Sequence, residues 1–233
     1  MPASVDYCTF CTNHIACGNS GKFASTCPAD AKLVTLSSTD IQNFLDQHNT
    51  RRNIIASRKQ AGFEPAFRMS SLGWDPELAQ LASLNVKQCA MIHDKCRSTA
   101  TSKYAGQNLA IHRAPTIEPV SSVIGNVVQS WYGEVKDAVQ ADVNTCCSAV
   151  SGKTIGHFTQ VVTDRAIKMG CAMATYTEGI WKTNLVACNY GFTNMVGEKV
   201  FVSGPTGKGC KTGVNPLFTG LCSVKETIKP PSW

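Results

Sequence analysis

Apolar and polar positions along the chain fall into three helical registers and one paired strand register. From Thr39, T-D-I-Q has the form of a capping box, with Thr39 capping an amide and Gln42 reaching back. Ile41, Phe44, Leu45 and Ile55 follow at helical spacing with His48 on their face, predicting a first helix that keeps Asp46, Arg51 and Arg58 in water. W-D-P-E-L opens a second helix, with Asp75 as N-cap and Pro76 in the first turn, where its missing N–H costs nothing. Leu78, Leu81, Ala82 and Cys89 form its buried side, and if the last turn continues, His93 lies four residues beyond Cys89 on that side. From Pro119 a broad stripe through Val123, Ile124, Val127, Val128 and Trp131 predicts a third helix, which packing must stabilise because β-branched residues are poor helix formers. Glu134 lies one turn beyond Trp131.

The strand register is clearest in residues 168–176 and 181–190. With Gly179-Ile180 as a two-residue primed turn, Glu178 faces Trp181 and the same count sets Cys171 opposite Cys188. That pairing predicts a disulfide which pins the register of the hairpin. The stretch G-H-F-T-Q-V-V, residues 156–162, places His157 directly before an apolar, β-branched run. It reads as an imidazole at a strand end, at the edge of a core. Y-A-G-Q-N-L-A-I-H, earlier in the chain, reads as a strand or a turn-rich connector.

Composition changes this picture in one respect. Among 233 residues there are 12 cysteines, an even number at scattered spacings, which implies a disulfide framework made in an oxidising compartment. Residues 1–36 read as an irregular cysteine-rich arm, 37–203 as the folded domain and 204–233 as a Gly- and Cys-containing extension. Cys8 and Cys11 form a C-x-x-C, but Cys17 and Cys27 do not repeat the spacing, so a zinc ribbon is the weaker alternative. The vicinal Cys146 and Cys147, in a long polar loop over 136–155, are expected to bridge to different partners. No apolar run reaches a membrane span's length of roughly 20 residues, and M-P-A-S-V-D-Y-C has no signal-peptide pattern, so a removed leader is expected. The formal charge of +6 is spread out, without the basic stripe interleaved with aromatics that nucleic acid would require.

Four stretches, F-L-D-Q-H-N-T-R-R, A-G-Q-N-L-A, G-H-F-T-Q-V-V and L-V-A-C-N-Y, occur in an order that resembles the cysteine-rich secretory, antigen 5 and pathogenesis-related (CAP) superfamily. The cysteine-rich arms and the C-N-Y-G-F-T-N ending look most like the activation-associated secreted proteins of parasitic nematodes. The resemblance implies an α+β fold, a three-layer α-β-α sandwich around a central antiparallel sheet. It also implies a cleft of two histidines and two glutamates, which falls here on His93, His157 and Glu134, with Gln107 in place of the second glutamate. A His, His, Glu set suits zinc, although a neutral amide oxygen at Gln107 is a poorer cation ligand than a carboxylate. The departures at Thr163, where the family commonly has tryptophan, and from Phe192 onward adjoin this cleft.

Neither H-E-x-x-H nor G-x-S-x-G occurs, and no motif ties a serine to His93 or His157, so catalysis is not expected. The reading is a secreted protein that binds extracellular molecules of host or parasite, with zinc an optional rather than required cofactor. Its partners are then an extracellular protein or a small lipid, a homodimer being open. Sterol carriage, which in some relatives uses an aromatic-rich loop, is weakened because no aromatic lies between Tyr132 and Phe158.

Overall fold

A computed structural model describes residues 5–147 and 152–229. The predicted hairpin is the centre of the molecule. Strands β4 (Lys168–Glu178) and β5 (Trp181–Tyr190) pair antiparallel with Glu178 opposite Trp181 and Cys171 opposite Cys188, and those cysteines are bonded. Gly179 opens the turn with φ +59°, the left-handed value that a primed turn needs at its first position. The weakly signalled stretch is strand β3 (Gly106–Ala114), antiparallel to β5. With β1 (Lys32–Leu33) the order is β1-β4-β5-β3, and the short β2 (Gly73–Trp74) joins β4 in parallel.

Strand alternation sends side chains to two cores. Leu185 and Ala187 of β5, with Leu109, Ala174 and Tyr176, pack under helix α2 (Pro76–Val86). Val186, Cys188 and Tyr190 point the other way, into the larger core beneath α1 (Ser38–Ala56), α3 (Val120–Gly133) and α5 (Gly156–Val162). Two helical layers around one sheet make the α-β-α sandwich. Gly170 permits the close approach of α2: a Cβ there would lie 2.2 Å from the backbone nitrogen of Ala79.

Several expectations are corrected. The cap of α1 is Ser37, whose hydroxyl accepts from Asp40 N while Asp40 accepts from Ser37 N, so the box begins two residues before Thr39. Both sites offer a hydroxyl followed by an acceptor three residues on, and the backbone turn chooses between them. Arg51 is half-buried rather than wet, bound to Gln47 and Gln129. Helix α2 ends at Val86, and Cys89 takes φ +50° beyond it to bond Cys27, so His93 does not continue the helix's buried side.

G-H-F-T-Q-V-V is helix α5, not a strand. Phe158, Val161 and Val162 sit at i, i+3 and i+4, and all are fully buried, so tertiary packing overrides the β propensity of the valines. In the loop before it, Gln140–Asn144 forms a short helix, α4. Cys146 bonds to Cys147 and not to separate partners, because the other ten cysteines pair among themselves. Cys8 bonds Cys17 and Cys11 bonds Cys96, which removes the zinc-ribbon alternative. Residues 148–151 of the predicted polar loop lie outside the described residues. After Val202 the chain returns over α1: Cys210 bonds Cys222, which is buried, and Leu221 enters the larger core.

Candidate functional site

The site forms where β3, the end of α3 and the start of α5 meet. Trp131, buried on α3, donates its indole N–H to Leu109 O of β3 at 2.9 Å. This ties the end of α3 to the sheet and sets Glu134, the C-cap of α3, beside α5. Glu134 Oε2 accepts from Phe158 N at 3.0 Å, so the carboxylate takes up an amide in the first turn of α5, where helices leave N–H groups without partners. Its other oxygen lies 2.6 Å from His157 Nδ1, and the imidazole stacks on Trp131 with an interplanar angle of 15°. A carboxylate can only accept, so Nδ1 of His157 carries a hydrogen, and in the neutral ring Nε2 keeps its lone pair.

The second pair repeats this logic. His93 is exposed, and its Nδ1 donates to Gln107 Oε1 at 2.8 Å. Gln107 is buried on β3, where its oxygen also accepts from Asp94 N and its amide donates to Asp94 Oδ2 at 2.7 Å and to Asn189 Oδ1 at 3.0 Å. All four bonds of this amide use its two ends differently. A carboxylate at position 107 would face the carboxylate of Asp94. The glutamine is therefore matched to Asp94, and its amide oxygen serves His93 as an acceptor.

Asn108, the neighbour of Gln107, links the site to the core. Its amide donates to His157 O at 3.1 Å and to the Tyr190 hydroxyl at 3.4 Å. Tyr190 in turn donates to His48 Nε2 at 2.8 Å, because His48 Nδ1–H is committed to Phe44 O of the preceding helical turn. Burial pushes the His48 imidazole down to about 3, so it stays neutral and holds this tautomer. His48 is thus structural. Farther along α5, Gln160 donates to Phe192 O, and Asn194 donates to Gly156 O and to Thr159 Oγ1, so the altered segment after Phe192 still braces the helix.

Four residues named from the sequence thus occur as two pairs, His157 with Glu134 and His93 with Gln107. Among the described residues, the one group of three or more His, Cys, Asp or Glu with ligand atoms within 4.8 Å is Cys11, His14 and Cys96. Its cysteines are bonded to each other, and both nitrogens of His14 are engaged, by Ser98 O and Ala16 N, so it does not offer a cation site. The nitrogens suited to a metal are Nε2 of His93 and Nε2 of His157, which have no hydrogen-bond partner among the described residues. Metal-bound histidines characteristically donate their other nitrogen to an oxygen acceptor, as both do here. Asp94, Asn108 and Asn189 escaped the sequence reading. Asp94 adjoins His93, and the other two lie inside the quoted motifs A-G-Q-N-L-A and L-V-A-C-N-Y, so adjacency was the available signal.

Residues 45–190 match the cysteine-rich secretory protein family, CAP. Venom allergen-1 of Aedes aegypti is 41% identical over 221 residues, covering 94% of this chain and 86% of its own. The antigen 5 like allergen Cul n 1 of Culicoides nubeculosus is 42% identical over 164 residues, 70% of this chain and 74% of its own. Among solved structures, NaASP2 with Zn2+ superposes with a TM-score of 0.67 at 22% identity, covering 84% of this chain and 100% of that one. BmVAL-1 gives a TM-score of 0.65 at 23% identity, over 81% and 95%. Six disulfides and similarity to venom allergens accord with an extracellular protein, and among the described residues no helix is long and apolar enough to cross a membrane. Its motifs, its sandwich and these relatives agree, and the chain belongs to the CAP family of cysteine-rich secretory proteins.

Proposed function

We propose that this is a secreted binding protein that acts outside the cell on molecules of another animal, and that its cleft takes a divalent cation, zinc being the best match. The observation that carries the cation reading is the shared state of the two histidines. Each has Nδ1 held by an oxygen acceptor and Nε2 uncommitted. His93 and His157 would be the ligands, with Gln107 and Glu134 orienting them. Glu134, expected from the resemblance as a third ligand, would have to release His157 or the amide of Phe158 to reach a metal. Bound zinc would act as a Lewis acid that could polarise a ligand's oxygen. This chain's own residues supply the orientation of the imidazoles.

The structural relative solved with Zn2+ supports the same choice of metal. The nematode source expected from the sequence gains no support from the similar sequences, since the venom allergens and the Cul n 1 allergen belong to insects. Their names support an encounter with another animal's immune system.

Isothermal titration of metal-stripped protein with zinc tests the cleft. One site is expected, weakened at least tenfold by His93→Ala and by His157→Ala, with the melting temperature in the absence of metal little changed. No binding, or binding indifferent to both substitutions, would sink the metal reading. A second reading, carriage of a small lipid, draws on an apolar cavity of ≈ 350 Å³ between α1 and α2, lined by Leu36, Ile41, Trp74, Pro76 and Ala79. Lipid extraction of protein from its native source, followed by mass spectrometry, decides it, and an empty extract counts against carriage.

A further inference from the structure

Five of the six disulfides join residues 9, 12, 17, 62 and 85 positions apart, so each closes a loop and restrains the unfolded chain. Cys146 and Cys147 are adjacent in sequence. Their bond closes no loop, and the chain-entropy stabilisation of a cross-link is absent from it.

The pair lies between the segment that follows β5 and helix α5. Cys146 is fully buried in the larger core, and its backbone is fastened twice: its N–H donates to Glu198 O at 2.6 Å and its carbonyl accepts from Gly197 N at 3.0 Å. Cys147 is partly exposed, and its Sγ lies 3.7 Å from Thr159 Oγ1 of α5. The same hydroxyl oxygen accepts from Asn194 Nδ2 at 2.6 Å, so Thr159, two residues beyond His157, touches both the disulfide and the segment that braces the helix. Cys147 has φ +77°, a left-handed backbone that a residue carrying a Cβ disfavours. The oxidised pair therefore combines three properties: no loop to stabilise, one residue within reach of solvent, and a backbone conformation that relaxation would leave.

We propose that Cys146–Cys147 is a thiol–disulfide exchange site, reduced and re-formed within the folded protein by an extracellular dithiol. A thiolate of the dithiol attacks Sγ of Cys147, the more exposed residue of the two. The S–S electron pair passes to Cys146 Sγ, which takes a proton from water, and a mixed disulfide is left on Cys147. The second thiol of the reagent loses its proton and attacks the reagent's own sulfur in that mixed disulfide. Cys147 Sγ leaves and is protonated, and the reagent departs as its cyclic disulfide, so two electrons and two protons have passed to the pair. The reduced form fits the fold, since a free thiol at Cys146 behaves as a small apolar residue in a core. Cys147 is then released from φ +77°, while Cys146 stays fastened to Gly197 and Glu198. A bond whose oxidised form requires a disfavoured backbone is reduced more readily than one that the fold favours.

Equilibration of the folded protein in dithiothreitol buffers of graded reduced-to-oxidised ratio, followed by alkylation and peptide mass spectrometry, tests the proposal. Cys146 and Cys147 are expected to be alkylated together at a ratio at least tenfold lower than Cys171–Cys188 requires, with the circular dichroism spectrum unchanged. The exposed Cys8–Cys17 bond measures access alone, and it too is expected to need a more reducing buffer. Amide NMR at the ratio that reduces the pair should shift Thr159, Asn194 and Gly197, and removal of the dithiol should return the original spectrum. Cys146→Ala combined with Cys147→Ala should leave the melting temperature within a few degrees, because no loop is opened. The proposal is overturned if the pair is reduced no earlier than Cys8–Cys17 and Cys171–Cys188, if its reduction unfolds the protein, or if the double variant loses stability on the scale of a loop-closing bond.

Discussion

Arg52 offers the sharpest test of how α1 organises the site. Its guanidinium is completely buried without a carboxylate partner in hydrogen-bond contact. It makes five hydrogen bonds to four backbone carbonyls: two to Ser70 O at 3.2 and 2.8 Å, and one each to Val161 O at 2.9 Å, Thr163 O at 2.8 Å and Ala166 O at 3.2 Å. Val161 and Thr163 are the end of α5, where carbonyls lack helical partners and the helix dipole favours a positive charge. One side chain of α1 thus holds the C-terminal end of the helix whose first turn carries His157. Burial pushes the guanidinium down only to about 10, so it stays charged at neutral pH. Arg52→Met preserves the stem's volume and strips the donors. At about 1 kcal/mol for each of four carbonyls left without a donor, the loss is about 4 kcal/mol. For a chain of this size that corresponds to a fall in Tm of about 8–16 °C. Arg52→Lys, whose three donors lack the planar fork, should recover only part of it. Equilibrium urea unfolding with disulfides intact measures both variants, and the altered end of α5 should also weaken zinc at His157. A methionine variant within 1 kcal/mol of the parent, or a lysine variant equal to arginine, would refute the clamp.

Other outcomes follow from the same coordinates. Gln107→Glu would set a carboxylate against Asp94, now 2.7 Å from the amide, so the variant should be less stable at pH 7 than at pH 5, where a proton can be shared; a flat pH profile of ΔG contradicts this. Asp164 has its folded-state carboxyl raised to about 6 by burial, so the folded state holds the proton more tightly and the group's contribution is lost as pH rises from about 4 through 6. Asp164→Asn should therefore gain on the parent by up to about 3 kcal/mol between pH 4 and pH 7 in denaturant titrations. His48 has the opposite sign: its lowered folded value leaves the unfolded chain as the better proton acceptor, so stability falls as pH drops from about 6.5 toward 3, and His48→Gln should flatten that acid limb. Gly170→Ala would drive a methyl into Ala79 N and Asp75 O, at 2.2 and 2.4 Å, and should cost about 3 kcal/mol or more by displacing α2, read as a lower urea midpoint.

Much of the scaffold was legible because it rests on local chemistry. Asp75 and Pro76 start α2 as their cap and N1 chemistry dictates, and the apolar stripe of α3 is continuous enough to survive its β-branched content. The two-residue turn at Gly179 sets the register of β4 and β5 without any distant contact, so the Cys171–Cys188 bond could be counted out. The family motifs named His93, His157, Glu134 and Gln107, and the structure brings them together in two pairs.

What failed depended on contacts the sequence does not encode locally. Valines in G-H-F-T-Q-V-V prefer strands in isolation, but Phe158, Val161 and Val162 bury completely only when wound as a helix between α1 and α3. Cys146 and Cys147 bond each other because the remaining partners are consumed elsewhere, a property of the whole pairing and not of their loop. Arg52 looks like any charged position in a polar run, Q-H-N-T-R-R, until four carbonyls from two other segments close around it. The sequence by itself determined the helices with strong caps or stripes, the hairpin register and the Cys171–Cys188 bond. Only the tertiary structure decided the fold of the His157 segment, the match of Gln107 to Asp94 and the burial of Arg52, because each depends on groups from distant segments that desolvate one another.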